Sequence, residues 1–167
     1  MITNTWRRAF KANFGGSNSD YKSLDFQGAT RELYCSSSYI ASHFPALSID
    51  KVISTATPTI DGVIFGTGTT PPSADDHKLS GDVVTQISFQ SSAQAVQISE
   101  DKNTFTNTYL LKNTGTTDIT INEVGWIGKR GSYYFLFDRT LLSSPVTIPA
   151  GEVGAVAYSI AIELPSA

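Results

Sequence analysis

A handful of residues in this sequence have side chains able to do chemistry. Cys35 could act as a nucleophile with a base beside it, and the histidines His43 and His77 are the bases on offer. Neither stands at a signature spacing from the cysteine, and a lone buried cysteine is ordinarily inert packing, so no catalytic role is expected of it. Asp75-Asp76-His77 offers carboxylate and imidazole ligands on one loop. Adjacent residues rarely wrap one ion, and the spaced Asp/Asn pattern with a closing Glu that makes a calcium loop is missing. The triplet therefore reads as a solvated loop, with no metal ligand set and no cofactor expected. Gly66-Thr67-Gly68 is a fragment of a phosphate loop without the Gly-Lys-Ser/Thr that would hold phosphate and magnesium. Glu123 and Asp138 could form a glycosidase pair, which needs a defined separation across a groove. The structural reading is preferred: Asp138 beside Arg139 at a strand end, and Glu123 satisfied at a bulge. Tyr133 and Tyr134 could stack on sugar rings, but with Phe135 and Phe137 they place aromatics on both faces of one segment. At least one face must be buried, and an interface is the expected use.

The elements that must position these residues are strands. From Asn113 to Leu164, turn signals recur at Asn113-Thr114-Gly115, Gly128-Lys129-Arg130-Gly131, Ser143-Ser144-Pro145 and Pro149-Ala150-Gly151. Gly supplies positive φ and Pro fixes φ, so these clusters punctuate strands. In Val153–Leu164, Val156, Tyr158, Ile160, Ile162 and Leu164 fall on one face, and Ala155, Ala157, Ser159, Ala161 and Glu163 on the other. A two-residue period with one large apolar face is a half-buried antiparallel strand. Upstream, Gly62–Gly66 reads as a short buried strand and 67–82 as a long polar loop. Strands follow at Val83–Phe89 and Gln94–Ser99, with a bend at Ser91-Ser92, and at Thr104–Lys112. Ile119 and Ile121 share a face that Val124 and Trp126 shift by one, which predicts a β-bulge near Glu123. The expected fold is all-β, an antiparallel β-sandwich or jelly roll over 61–167, preceded by a less regular segment over 1–60. The expected core includes Ile87, Phe89, Leu111, Ile121, Trp126, Phe135, Ile160 and Ile162.

The bulk numbers agree with this. At 167 residues the chain is long enough for one domain with a core. Charged residues are only 16%, against a usual quarter, and Ser, Thr, Gly and Asn fill the difference. A net charge of −3 argues against a specific nucleic-acid partner. One cysteine cannot form an internal disulfide, no run is apolar enough to insert in a membrane, and no signal peptide is evident.

Residues 1–35 stand apart. Their five cations against three carboxylates give +2, which leaves −5 for the remainder of a chain at −3. Trp6, Phe10 and Phe14 are four apart, a helical spacing, with Arg7, Arg8 and Lys11 beside them and a Gly15-Gly16 link after. This composition predicts either a helix packed on its own domain or an arm that docks on a neighbouring subunit, and the arm is the reading taken forward. Trp6, Arg7, Arg8, Phe10, Lys11, Phe14, Tyr133 and Tyr134 are accordingly the candidate interface residues, and none is assigned catalysis.

Two stretches together resemble a known group. The first is Phe65-Gly-Thr-Gly-Thr-Thr-Pro-Pro-Ser-Ala-Asp-Asp-His-Lys-Leu79. The second is Ile121-Asn-Glu-Val-Gly125, followed by Leu136-Phe-Asp-Arg139 and Pro145-Val-Thr-Ile-Pro-Ala-Gly151. Their order, over about 62–164, is similar to that in small virion proteins of tailed bacteriophages. The resemblance implies a non-enzymatic structural subunit of a phage particle, made in the host cytoplasm and placed on tail, neck or capsid. Its partners would be copies of itself and other virion proteins. The alternative is a receptor- or carbohydrate-binding module of a tail or head fibre, with a host surface glycan as partner; a glycan hydrolase ranks last.

Overall fold

The computed structural model of the chain describes residues 2–4, 7–8, 22–33, 51–99, 102–130 and 132–163. Trp6, Phe10, Lys11 and Phe14, the Gly15-Gly16 link, Cys35 and His43 lie outside the described residues. Among the described residues there are nine strands: β1 (Lys22–Leu24), β2 (Thr30–Glu32), β3 (Val52–Ile53), β4 (Gly62–Gly66), β5 (Ile87–Ile98), β6 (Lys102–Asn113), β7 (Ile119–Arg130), β8 (Tyr133–Ile148) and β9 (Val153–Glu163). They form a β1-β2 hairpin, a sheet in the order β3-β4-β7-β8 and a sheet in the order β5-β6-β9. β3 runs parallel to β4, and the β4-β7, β5-β6 and β6-β9 pairs are antiparallel. The fold is all-β, in sheets consistent with a β-sandwich, and no barrel closes among the described residues. No helix among them is long and apolar enough to cross a membrane.

The chain separates into two compact units, Met1–Thr85 with Ile121–Ser143, and Gln86–Thr120 with Ser144–Ala167. In the first unit the central strands are covered on both faces. Every residue of β4 is buried, and so are Glu123 to Gly128 of β7 and Phe135 to Arg139 of β8. Strands of this kind read as continuous apolar runs rather than alternating ones. That explains the phase change from Ile121 to Val124. β4 and β7 pair from Gly62↔Ile127 to Gly66↔Glu123 without a register shift, so no bulge interrupts that pairing. Ile53, Ile64, Leu79, Ile127 and Leu136 form one core cluster, with Phe26, Val83 and Tyr134 against it. Trp126 meets Phe137 edge-on at 5.5 Å between centroids.

The turn expected at Gly128–Gly131 also falls later, since β7 continues to Arg130. Gly128 is a packing glycine: a Cβ there would sit 2.0 Å from Phe137 Cε2. Likewise Pro145 does not end a strand but lies exposed within β8, at the edge of its sheet, where a missing N–H is tolerated.

In the second unit, Tyr109 faces Val156 and Asn107 faces Tyr158 across β6 and β9, all buried, with Ile87, Leu111 and Ile148. The alternation expected along the last strand is met at Val156 and Tyr158, against exposed Ala155, Ala157 and Ser159. Ile162 and Leu164 have no described side-chain position. The Asn113 turn forms as expected and shows why asparagine is there. Its Nδ2 donates to the carbonyls of Thr117 (2.8 Å) and Ile148 (3.0 Å), and its Oδ1 accepts from the Gly115 N–H (2.9 Å). Gly151 closes the Pro149 turn at φ +77°.

The two strands expected at Val83–Phe89 and Gln94–Ser99 are one. Val83 makes only a bridge to Gly66, and β5 runs unbroken through Ser91-Ser92, with a register shift between Phe89 and Ser91 in place of a bend. Phe89, expected in the core, is 40% exposed because it lies on this outermost strand of its sheet.

Candidate functional site

The residues that carry the sequence resemblance converge on one buried polar cluster in the first unit. Glu123 projects from β7 with no exposed surface. Its Oε1 accepts from the N–H groups of Gly68 (3.0 Å) and Gly81 (2.8 Å). Its Oε2 accepts from the Ser80 N–H (3.2 Å), the Ser80 hydroxyl (3.2 Å) and Arg139 Nε (2.6 Å). Gly68 is required by contact: a Cβ there would lie 2.0 Å from Ser80 Oγ and 2.3 Å from Glu123 Oε1. The Gly66-Thr67-Gly68 run thus does present backbone N–H to an anion, but the anion is the chain's own carboxylate.

Arg139, from β8, spreads its planar fork across the 67–82 loop. Nη1 donates to Asp76 Oδ2 (2.6 Å) and to the Pro71 carbonyl (3.4 Å), and Nη2 to the Thr70 carbonyl (2.6 Å). Asp76 Oδ2 accepts the Ser73 N–H as well (2.8 Å). The sequence reading of Asp75-Asp76-His77 as merely solvated is therefore corrected at Asp76, which is a structural ion-pair partner. Arg139 was expected to answer its neighbour Asp138; its ion pairs run instead to Glu123 and Asp76, 16 and 63 residues away in the chain.

Burial works to raise the Glu123 carboxyl. The Gly81 and Ser80 N–H donors and the Arg139 guanidinium outweigh it, and the group is held below the usual carboxylate range. Burial also works to lower Arg139, but Asp76 and Glu123 outweigh it and raise the guanidinium above its ordinary value. A fully buried carboxylate with five donors has no open lone pair through which to protonate a substrate. Its chemistry is to fasten a loop.

The start of the chain joins the same region. The Thr3 N–H donates to the Phe137 carbonyl (2.9 Å) and its hydroxyl to the Leu136 carbonyl (2.7 Å). Asn4 donates from its backbone to Ala74 (2.6 Å) and from Nδ2 to Asp75 (2.8 Å). Residues 2–4 are thus built into the first unit rather than reaching away from it. Arg7 and Arg8 are helical and exposed, and Arg8 Nη1 donates to the Lys22 carbonyl (2.9 Å).

A second place gathers the aromatic candidates. Tyr133 and Tyr134 line a cleft of about 190 Å³ with Asp25, Phe26, Thr57 and Pro58. The cleft rests on the β1-β2 turn. There Asp25 Oδ1 caps the N–H groups of Gln27 and Ala29, and Gly28 takes φ +85°. Asp25 Oδ2 accepts from Arg31 Nε (2.9 Å). Burial would raise the Asp25 carboxyl, but Arg31 and the two N–H groups overcome it and lower it. The Arg31 guanidinium lies 4.0 Å from the Tyr133 ring centre, and Tyr134 gives its hydroxyl to the Thr59 carbonyl. One face of Tyr133 is thus taken by an internal cation. The cleft is also smaller than the roughly 300 Å³ at which small-molecule pockets begin.

Among the described residues no group of three or more His, Cys, Asp or Glu could hold a metal ion. No protein-family model matches this chain, and neither the curated proteins nor the solved structures hold a match to it. Sequence reasoning missed the partnership of Glu123 with Arg139 and Asp76. The signal that could have found it is a glutamate inside an apolar strand, since such a charge must have a cation and several donors from elsewhere in the fold.

Proposed function

We propose that this chain is a non-enzymatic structural subunit of a bacteriophage particle, built on tail, neck or capsid and assembling with copies of itself and other virion proteins. The observation that carries this reading is the use made of the shared motif residues. The Gly-Thr-Gly loop, Leu79, Glu123 and Arg139 hold one another instead of opening onto a groove. The resemblance to virion proteins thus rests on residues that maintain a scaffold. A surface poor in charge suits repeated close packing, because few ions need be stripped of water at each contact. The alternative, a glycan-binding module, rests on Tyr133, which is 41% exposed but has Arg31 over one face of its ring.

The test is composition of purified particles. Particles of the encoding phage, banded on a density gradient, should contain this chain at fixed stoichiometry, at a defined position in electron micrographs. A chain that stays with the soluble host proteins, while complete particles form in its absence, would overturn the proposal. Binding on a glycan array, abolished by Tyr133→Ala, would favour the alternative.

A further inference from the structure

We propose that β5 is a self-pairing edge, at which two copies of this chain join antiparallel about a two-fold axis beside Ala95. The inference stands on the second unit alone and holds whatever particle the chain belongs to. β5 is an outermost strand, hydrogen-bonded to β6, and no other strand pairs with its far side among the described residues. From Phe89 to Ile98 every residue is exposed, with Val96 at 49% and Ile98 at 79%. Long exposed edges are a hazard that proteins blunt with charge, proline or extreme shortness. Two other edges show such devices, since β3 has two residues and β8 carries Pro145, while β9 contains a glycine, Gly154, and a charge only at its last residue, Glu163. β5 reads ISFQSSAQAVQI, without a charge, a proline or a glycine in twelve residues.

The free edge has its hydrogen-bonding groups in place. Ser99 donates its N–H to the Lys102 carbonyl (2.9 Å), and from there Ile98 pairs with Asn103, Val96 with Phe105 and Gln94 with Asn107. In an antiparallel ladder, pairs that exchange bonds alternate with pairs whose N–H and C=O point away. With Ser99–Lys102 as a bonded pair, Ile98, Val96, Gln94 and Ser92 turn their backbone groups outward. The stretch open to pairing is bounded by the register shift at Ser91 and the hairpin end at Ser99, so its middle is Ala95.

What selects a second copy over another partner is the absence of charge. A two-fold contact sets each residue against its own symmetry mate or a close neighbour, so any charge on the strand would meet its like. With the axis at Ala95, Gln94 lies opposite Val96 and Ser92 opposite Ile98 of the second copy. The side chains of Val96 and Ile98, on the face that carries Phe105 and Ile160, then gain cross-strand neighbours. Two three-stranded sheets become one of six.

The full chain, examined by size-exclusion chromatography with light scattering, should be a dimer or an even-numbered assembly. Amides of 92–98 should exchange with deuterium more slowly as protein concentration rises. Ala95→Lys and Ala95→Glu each place like charges on the axis at an exposed position. Each alone should weaken self-association by about a hundredfold, with circular dichroism and melting unchanged. Mixing the two should restore the pair, because Lys then faces Glu. A monomeric parent chain, variants that associate as well as the parent, or a mixture that stays monomeric would each overturn the proposal.

Discussion

Glu123→Gln is close to isosteric, yet the structure makes it severe. An amide has one acceptor oxygen and one donor nitrogen, and both carboxylate oxygens of Glu123 face donors. Put the amide nitrogen on the Oε1 side and it meets the N–H groups of Gly68 and Gly81; put it on the Oε2 side and it meets the Ser80 N–H and Arg139 Nε. Either orientation loses at least two charge-assisted bonds and leaves Arg139, 1% exposed, short of a counter-ion. At roughly 1.5 to 3 kcal/mol for each bond to a charged group, the loss is about 3 to 6 kcal/mol. That is a large part of a typical domain's stability of about 5 to 15 kcal/mol. For a chain of this size it corresponds to a fall in Tm of at least about 6 °C. Calorimetry reads the fall, and limited proteolysis should show new cleavage within 67–82, since Glu123 and Arg139 are what pin that loop. Arg139→Met combined with Glu123→Gln should cost less than the sum of the two single changes, because each single change leaves the other charge stranded. A Glu123→Gln variant that melts within about 1 °C of the parent, with an uncut loop, would refute the reasoning.

Acid should act through the same group. Because the folded Glu123 carboxyl lies below its unfolded value, its contribution is fully present above about pH 4.3 and is lost as pH falls through the lower, folded value. Acid melts of parent and Glu123→Gln should therefore converge as pH drops below about 4; parallel curves would exclude the effect. Gly128→Ala drives a methyl into the Phe137 ring and should destabilise by about 1 to 3 kcal/mol. Near-UV dichroism from Trp126, whose ring meets Phe137, should change with it. Asn113→Ala removes three side-chain hydrogen bonds at the second unit's turn and should lower the urea midpoint by the equivalent of about 2 kcal/mol. An unchanged midpoint would mean the turn holds without them.

The all-β class was legible because local signals suffice for it. Val156 and Tyr158 alternate as a half-buried strand should, and Asn113 and Gly151 mark turns by their own conformational preferences. Reading failed where burial is two-sided. Along β7 the residues from Glu123 to Gly128 are all buried, so alternation gives no phase to read there. It failed again where a turn signal serves packing, as Gly128 does under Phe137, and where an edge tolerates Pro145. Glu123 and Arg139 were each legible as charges needing partners. Their pairing was not, because hydrogen bonds between residues 16 to 69 positions apart leave no periodic trace along the chain.

The first compact unit is also discontinuous along the chain, since 86–120 intervene between its two parts. This has a consequence for synthesis. β4 and the 67–82 loop leave the ribosome well before Glu123 and Arg139 exist, and the Thr3 to Phe137 link spans 134 residues. Late closure of this kind slows folding and leaves apolar strand exposed in the interval. A nascent chain stalled before Arg139 has emerged should remain open to protease across 67–82, and one stalled beyond Ser143 should gain protection there in a single step. The unit would then be completed only once Ser143 has emerged, which makes the interval between the emergence of 67–82 and that of Arg139 the stage at which a destabilised copy is most open to degradation.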